Sequence, residues 1–185
     1  MVVLGSIGFL AAADLSIEKV ALLKDPAYQP TCNISPILSC GSVMATPQAE
    51  AFGFPNPFIG VAGFAIVITA GMALLAGAQF RRWFWLGLQA GTVFGVVFIH
   101  WLMYQSIFNI GALCAYCMVV WTVTIPIFWY LLLYNLRQKN IRISGRLSKL
   151  NDFAQKNHAN ILVFWYLAIV LTILVEFWYY WSTLI

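Results

Sequence analysis

Five long apolar stretches dominate the sequence, and each has the roughly 20 residues that a helix needs to cross a bilayer. They cover residues 2–23, 57–79, 83–106, 114–136 and 161–184. Only 9% of the 185 residues are charged, whereas an average soluble domain carries about 25%. The connections are too short for a sizeable soluble domain, so any chemistry belongs to a helical bundle or a short loop. The expected fold class is an all-α membrane protein, with a four-helix transmembrane bundle and a fifth transmembrane helix.

Basic residues are concentrated in two of the connections. Arg81 and Arg82 lie between the second and third stretches, and six further Lys or Arg residues lie within 137–160. Because basic connections stay in the cytoplasm, we expect both segments and the N-terminus on the cytoplasmic side. The net charge of +4 therefore reports orientation and does not indicate nucleic-acid binding. The connections 25–56 and 107–113 then face the exterior, and all four cysteines gather on that oxidising side.

The first stretch is the least convincing of the five, because charged side chains interrupt its second half. Asp14 and Glu18 are four residues apart and share a helix face, and Lys19 follows directly. Such a helix still crosses a membrane if its charges lie near one interface. We expect Asp14 and Glu18 to mark that interface; a proton relay for the thiols is the alternative.

The exterior connection 25–56 has an apolar middle that suits the membrane surface. A short amphipathic helix from about Ser39 to Met44 is predicted there, and it would cap the outer mouth of the bundle. At membrane depth such a segment is tolerated only where protein or water covers its backbone. The basic segment 137–160 is predicted to be a cytoplasmic linker, and 161–185 an accessory fifth transmembrane helix.

Four cysteines form two pairs. They are Cys32 and Cys40 in the exterior connection, and Cys114 and Cys117, a C-x-x-C pair where the fourth stretch begins. A zinc site is disfavoured, because paired zinc ligands are typically separated by two to four residues; no metal is expected. A structural disulfide between Cys32 and Cys40 suits an oxidising compartment but leaves the second pair unexplained. A relay of thiol–disulfide exchange between the pairs explains both of them. Cys114 suits such a relay, because a helix N-terminus favours the thiolate form of a cysteine.

A relay needs a final electron acceptor, and the sequence offers no binding motif for a soluble one. It contains neither a G-x-G-x-x-G nucleotide fingerprint nor a C-x-x-C-H haem attachment signal. A quinone, which arrives through the lipid, suits a thiol pair just inside the bilayer. Three aromatic residues near the cysteines are candidates to line a slot for its ring: Tyr116, Trp121 and Phe58. His100, on the outer half of the third stretch, is either a proton carrier for the quinone or a histidine bonded within the bundle.

Three motifs give the chain a resemblance to a known family. They are "CNISPILSCGSVM" (Cys32 to Met44), "PNPFIG" at the opening of the second stretch and "CAYC" at the opening of the fourth. Their order and spacing resemble those of the vitamin K epoxide reductase family, in its bacterial branch. The resemblance implies a four-helix core over residues 1–136 around a quinone site, in the inner or plasma membrane of a bacterium.

The resemblance also implies an activity. The protein would be a quinone-dependent oxidoreductase that reoxidises a secreted thioredoxin-fold partner and so supports disulfide formation, with menaquinone or ubiquinone as the acceptor. Electrons from the partner would reach Cys32. Cys40 would exchange with Cys114, and Cys117 would contact the quinone. Two alternatives stay open: a non-catalytic membrane scaffold with structural disulfides, and a quinone or vitamin K epoxide reductase that uses a different thiol donor.

The family's polar helper positions are matched in part. Asn56 corresponds to the asparagine that hydrogen-bonds a ring oxygen of the quinone; a helix N-cap before Pro57 is its other interpretation. Thr46 corresponds to a Ser or Thr hydroxyl near the exterior loop, and Ser42 is the rival for that role. Trp121 stands where vertebrate members have a tyrosine, so one hydroxyl donor to the quinone is missing and epoxide reduction is disfavoured.

Overall fold

The computed structural model describes residues 1–25, 27–143 and 146–182, and the regular structure within them is helical. Its α-helices are α1 Val2–Lys24, α2 Cys40–Met44, α3 Pro57–Leu75, α4 Arg82–Tyr104, α5 Ala115–Arg137, α6 Arg146–Lys156, α7 His158–Glu176 and α8 Trp178–Trp181. A 3-10 turn covers Pro47–Glu50, and a π-helical turn, Gln105–Ile110, continues α4. The short helix that the sequence predicts up to Met44 is present as α2.

Four helices in the described residues are long and apolar enough to cross a membrane. They are Pro57–Leu75, Arg82–Ile110, Ala115–Arg137 and His158–Glu176, and they correspond to the last four apolar stretches. The expected all-α membrane protein is thereby confirmed. With 23 residues α1 is also long enough to span, but its charged residues keep it out of this group. That α1 crosses the membrane stays a prediction.

Local sequence signals explain where several helices begin and end. Asp25 is extended (φ −134°, ψ 104°) before Pro26, because proline disfavours a helical conformation in the preceding residue. α3 begins at Pro57, whose fixed φ suits the first helical position. The π-helical turn ends at Gly111, which adopts a left-handed φ of 69° that glycine tolerates best. Gly111 thereby redirects the chain just before Cys114.

The chain forms two compact units, Met1–Trp129 and Tyr130–Ile185. All four cysteines belong to the first unit. In the second, the predicted linker contains α6, a helix of 11 residues that the basic composition of this segment does not suggest. The side chain of Gln155 on α6 donates a hydrogen bond to Leu133 O (2.9 Å). The domain boundaries expected from the sequence stay predictions.

Glycines let α1 and α3 approach closely in the first unit. A Cβ atom at Gly8 would collide with the ring of Phe64, and one at Gly71 would lie 2.7 Å from Val2 Cγ2. Small residues at such a contact are typical of helix pairs in membranes. The buried core beside this contact consists of Ala12, Phe64, Val67, Val123 and Ile127. The pair α1 and α3 therefore supplies a close-packed wall for the site.

Candidate active site

The long connection between α1 and α3 holds the first cysteine pair at the start of α2. Cys32 and Cys40 are joined by a disulfide, with their Cα atoms 5.6 Å apart. Asn33 stabilises this loop, because its Oδ1 accepts hydrogen bonds from Ser39 Oγ (3.2 Å) and Gly41 N (2.9 Å). Ser39 is the N-cap of α2. The disulfide is thus fixed to the first residue of the short helix.

A backbone bridge ties this loop to the segment just before α5. Ser39 N donates to Leu113 O (2.9 Å), and Leu113 N donates to Ile37 O (2.7 Å), so the two segments pair in the parallel sense. Each segment places a cysteine directly after the bridge: Cys40 follows Ser39, and Cys114 follows Leu113. Main-chain hydrogen bonds therefore bring the two cysteine pairs together.

Sulfur atoms from both pairs are buried in one cluster. The members of this cysteine cluster are Leu15, Cys32, Cys40, Met44 and Cys114. Cys40 and Cys114 are both 0% exposed, and Cys32 is 5% exposed. Cys117, one turn along α5, is partly exposed and packs against the cluster. Contact between two cysteine pairs is what an exchange relay requires.

Cys114 lies directly before the first turn of α5, where backbone amides lack partners within the helix. The amide of Cys117 donates to Cys114 Sγ (3.4 Å). Hydrogen bonding from the Cys117 thiol lowers the pKa of Cys114; burial opposes this effect, and the amides of Cys117 and Tyr116 add to it. Cys114 therefore ionises more readily than an ordinary cysteine, as its place at a helix N-terminus predicts.

A largely apolar cavity of about 760 Å³ lies within the first unit. Its walls come from α1, α3, α4 and α5, and its cap comes from α2 and the residues that follow. Five residues that the sequence singles out line it: Thr46, Asn56, Phe58, Cys117 and Trp121. Cys117 therefore borders both the cysteine cluster and the cavity. Among the described residues no group of three or more His, Cys, Asp and Glu side chains could hold a metal ion.

Asn56 is buried at the start of α3, and both polar atoms of its side chain are engaged. Oδ1 accepts from Ala51 N (3.0 Å), and Nδ2 donates to Gln48 O (2.7 Å). Asn56 occupies the N-cap position of α3, but its side chain makes no capping hydrogen bond to that helix. The side chain is instead hydrogen-bonded to the segment that covers the cavity. The second Nδ2 hydrogen has no partner among the described residues. Nearby, Thr46 Oγ1 donates to Val43 O (2.8 Å).

Three other residues that the sequence singles out lie outside the cavity lining. Tyr116 packs against the cysteine cluster. Ser42 is exposed, and its hydroxyl shares a hydrogen bond with Ser39 Oγ (2.8 Å). His100 Nδ1 donates to Val96 O (2.7 Å) within α4. Any role of these three residues at a quinone stays a prediction.

Two charged residues of α1, Glu18 and Lys19, are buried beneath the connection that follows this helix, although the sequence suggests a membrane interface for the charges of α1. Asp14 is exposed, but Glu18 and Lys19 are only 7% and 5% exposed. Lys19 Nζ donates to Met44 O (2.7 Å) and forms an ion pair with Glu50 (2.9 Å). The connection after α1 folds back over these residues, a long-range contact that spacing along α1 does not encode. Their one signal in the sequence is charge within an apolar stretch.

The fold and the site define a multi-pass membrane protein with two neighbouring cysteine pairs beside an apolar cavity. The chain belongs to the vitamin K epoxide reductase family, whose family model matches residues 1–132. The resemblance to this family is thereby confirmed, whereas its bacterial branch stays a prediction. No curated protein matches the chain. Family membership makes the protein a membrane oxidoreductase, in a family that links thiols to quinones.

Proposed function

We propose that the protein oxidises the thiols of a thioredoxin-fold partner on the outer side of the membrane and passes the electrons to a quinone, thereby supporting disulfide formation. The observation that carries this proposal is the cysteine cluster. The Cys32–Cys40 disulfide packs there with Cys114, and Cys117 borders both the cluster and the cavity. Exchange requires that one sulfur attack another directly, and this arrangement supports a relay between the pairs.

The relay begins at Cys32. Cys40 is fully buried, whereas Cys32 retains some exposure between the exposed residues Thr31 and Asn33. A partner thiolate attacks Cys32 Sγ, a mixed disulfide forms, and the electron pair of the broken bond leaves on the Cys40 sulfur. The partner's second thiol then attacks the mixed disulfide. The oxidised partner departs, and Cys32 and Cys40 are left as two thiols.

Transfer to the inner pair follows from the position of Cys40 and Cys114 in one buried cluster, each directly after the backbone bridge. The Cys40 sulfur attacks Cys114 Sγ in the oxidised inner pair, and Cys117 leaves as a thiolate. Cys32 then attacks Cys40, which restores the outer disulfide and releases Cys114. The lowered pKa of Cys114 favours this release, because more acidic thiols leave faster. The products are an outer disulfide and two inner thiols, the state that the structure contains.

The cavity has the properties of a quinone site. Its volume of about 760 Å³ lies in the range of small-molecule sites, about 300 to 1,000 Å³, and its lining is mainly apolar. Trp121 and Phe58 offer flat surfaces to a ring, and the second Nδ2 hydrogen of Asn56 is a donor for a ring oxygen. A bound quinone would supply an acceptor for two electrons and two protons. Cys117 is the thiol that borders this space.

A trapping experiment tests the order of the outer steps. The probe is a thioredoxin-fold protein that retains one active-site cysteine, activated as a mixed disulfide with thionitrobenzoate. Reduced Cys40→Ala protein should form a lasting complex with it, visible on a non-reducing gel, because no second sulfur resolves the bond to Cys32. Reduced wild-type protein should release the probe. Cys32→Ala is the matched control and should form no complex; a complex in that variant would contradict the proposed order.

The inner pair is tested by turnover in the purified protein. Cys114→Ala and Cys117→Ala should each abolish quinone-dependent oxidation of a partner dithiol, because the path from the cluster to the cavity is cut. Met118→Ala is a neighbouring change outside the cavity lining and the cysteine cluster, and it should retain turnover. Unchanged turnover after either cysteine substitution would reject the relay.

A further inference from the structure

Glu18 lies on the face of α1 that meets the cysteine cluster. Leu15 belongs to that cluster, and Leu22 packs against it. Residues three and four positions apart share one helix face, so Glu18, between Leu15 and Leu22, points the same way. Glu18 is only 7% exposed. A carboxyl group is therefore held on the side of α1 that faces the cysteine cluster and is hydrogen-bonded to the residue next to Cys32, where the relay described above gives it no role.

The two oxygens of this carboxyl group have different environments. Oε1 accepts hydrogen bonds from Thr31 Oγ1 (2.6 Å) and Thr31 N (3.4 Å), and Thr31 is exposed to solvent. Oε2 is buried and has no hydrogen-bond partner within residues 1–25, 27–143 and 146–182. Because a buried carboxylate oxygen without a donor is unfavourable, Oε2 is a ready acceptor for a proton. Glu18 thus connects an exposed hydroxyl with the buried cluster.

The neighbouring lysine forms its ion pair elsewhere and not with the Glu18 carboxylate, since Lys19 Nζ donates to Met44 O and pairs with Glu50. Tyr28 approaches the carboxylate, and hydrogen bonding to Glu18 raises the pKa of Tyr28, although the contact does not satisfy Oε2. The titratable groups that face this region are Lys19 on α1, Tyr28, Cys32, Cys40 and Glu50 in the connection, and Cys114, Tyr116 and Cys117 beside or on α5.

We propose that Glu18 accepts the proton of the Cys40 thiol during transfer to the inner pair and passes it through Thr31 to the water outside. This role rests on the proposed function. Cys40 is fully buried, so water cannot take its proton directly. As its sulfur bonds to Cys114, the S–H bond breaks and the proton moves to Oε2. The disulfide to Cys117 breaks, and the Cys117 sulfur keeps the electron pair and later takes up a proton. The protonated carboxyl group then rotates to donate to the Thr31 hydroxyl, which gives its own proton to water, so the carboxylate is restored.

Glu18→Gln removes the base but keeps an oxygen that accepts from Thr31. Quinone-dependent oxidation of dithiothreitol is measured across a pH series. Turnover near neutral pH should fall about 100-fold, the lower end of general-base effects, and the dependence of turnover on pH should differ from that of wild-type protein. Glu18→Asp should restore part of the rate. Asp14→Asn removes an exposed carboxylate one turn earlier on α1 and should leave turnover and pH profile unchanged.

A second measurement needs neither quinone nor partner and so separates this role from the proposed function. In fully reduced protein, the alkylation rate of Cys40 is followed with pH. Glu18→Gln should shift the midpoint to lower pH, because a nearby negative charge opposes ionisation of a thiol. Because a folding defect would also expose the buried Cys40 and ease its ionisation, thermal unfolding of Glu18→Gln is compared with that of wild-type protein, and Thr31→Val replaces Glu18→Gln if the latter is less stable.

Each outcome decides one question. Wild-type protein without quinone-dependent turnover would reject the proposed function alone. An unchanged alkylation midpoint in Glu18→Gln, or an equal loss of turnover in Asp14→Asn, would reject the role of Glu18. If Glu18→Gln fails to form the Cys32–Cys40 disulfide, Thr31→Val decides. It should slow turnover and change the pH profile, because the hydroxyl that links Glu18 to water is lost, and an unaltered rate and profile would overturn the proton path.

Discussion

At the scale of single residues, the two thiols of the C-x-x-C pair have different surroundings. Cys114 is fully buried in the cluster with Cys40 and receives a hydrogen bond from the Cys117 amide. Cys117 lies one turn further along α5 and borders the cavity. In the proposed relay each thiol therefore has a different partner for exchange: the outer pair for Cys114, and a quinone in the cavity for Cys117. A relay with a direction requires this asymmetry.

Replacing Cys117 by alanine should raise the pKa of Cys114, because hydrogen bonding from the Cys117 thiol is the main effect that lowers it. A lowered pKa means that the thiolate persists to lower pH, so loss of the donor should move the alkylation midpoint of reduced Cys114 to higher pH. Mass spectrometry after alkylation across a pH series measures this midpoint. Cys117→Ser keeps a donor and should move it less. Equal midpoints in wild-type and Cys117→Ala protein would contradict the prediction.

What the sequence could predict at this scale depends on how local each feature is. The short helix at Cys40 follows from the polarity of about a dozen residues, and the expected gathering of the cysteines on one side follows from the distribution of basic residues along the chain. The burial of Lys19 does not, because its ion-pair partner Glu50 lies in a different segment. For the same reason the sequence gives a proton relay at Glu18 only as an alternative: the hydrogen-bond partner of Glu18, Thr31, reaches it only after the chain has turned back over α1.

At the scale of elements, the contact between α1 and α3 depends on glycine. Gly8→Ala should destabilise the protein by about 1 to 3 kcal/mol, the usual effect of overpacking, because its Cβ would collide with the buried ring of Phe64. Gly63→Ala in α3 is the matched control, since nothing lies within 4 Å of a Cβ atom there. Alanine should stabilise α3 slightly at that position. Thermal unfolding in detergent compares the two, and equal losses would argue against the close contact.

Lys19 binds the cap of the cavity to α1 through Met44 and Glu50. Lys19→Met should lower the free energy of unfolding by about 1 to 3 kcal/mol, because the buried Met44 carbonyl loses its charged donor. Alkylation of reduced Cys114 should also become faster as the cap loosens. Lys24→Met, at the exposed end of α1, should change stability by less than about 0.5 kcal/mol. A Lys19→Met protein as stable and as slowly alkylated as wild type would contradict this role.

The apolar pattern predicts the transmembrane helices better than it predicts their ends. α3 stops at Leu75, four residues before the apolar stretch does, and Gly77 follows in a left-handed conformation (φ 85°). The π-helical turn Gln105–Ile110 prolongs α4, and no apolar pattern distinguishes such a turn. The sequence predicts a linker at α6, because six Lys or Arg residues lie within 137–160, although Leu150 and Phe153 form an exposed apolar face on this helix.

At the scale of the whole molecule, the distribution of basic residues predicts orientation in the membrane. The test uses Cys114→Ala/Cys117→Ala protein, in which the remaining disulfide does not react with maleimides. Ile34→Cys, an exposed position beside the outer pair, should react with a membrane-impermeant maleimide in intact cells. Lys149→Cys, an exposed position on α6, should react only after the membrane is opened. The reverse pattern would invert the topology and exclude an extracellular partner.

The bridge before α5 has a consequence for how this loop can evolve. It is built from main-chain groups alone, with Ser39 N and Leu113 N as donors, and every amino acid except proline carries such a donor. The bridge itself therefore tolerates a change of side chain at either position and excludes only proline from both, although Ser39 also caps α2 and Leu113 is buried. A proline at position 39 or 113 in a related sequence would then mark a chain in which the main-chain alignment of the two cysteine pairs is lost.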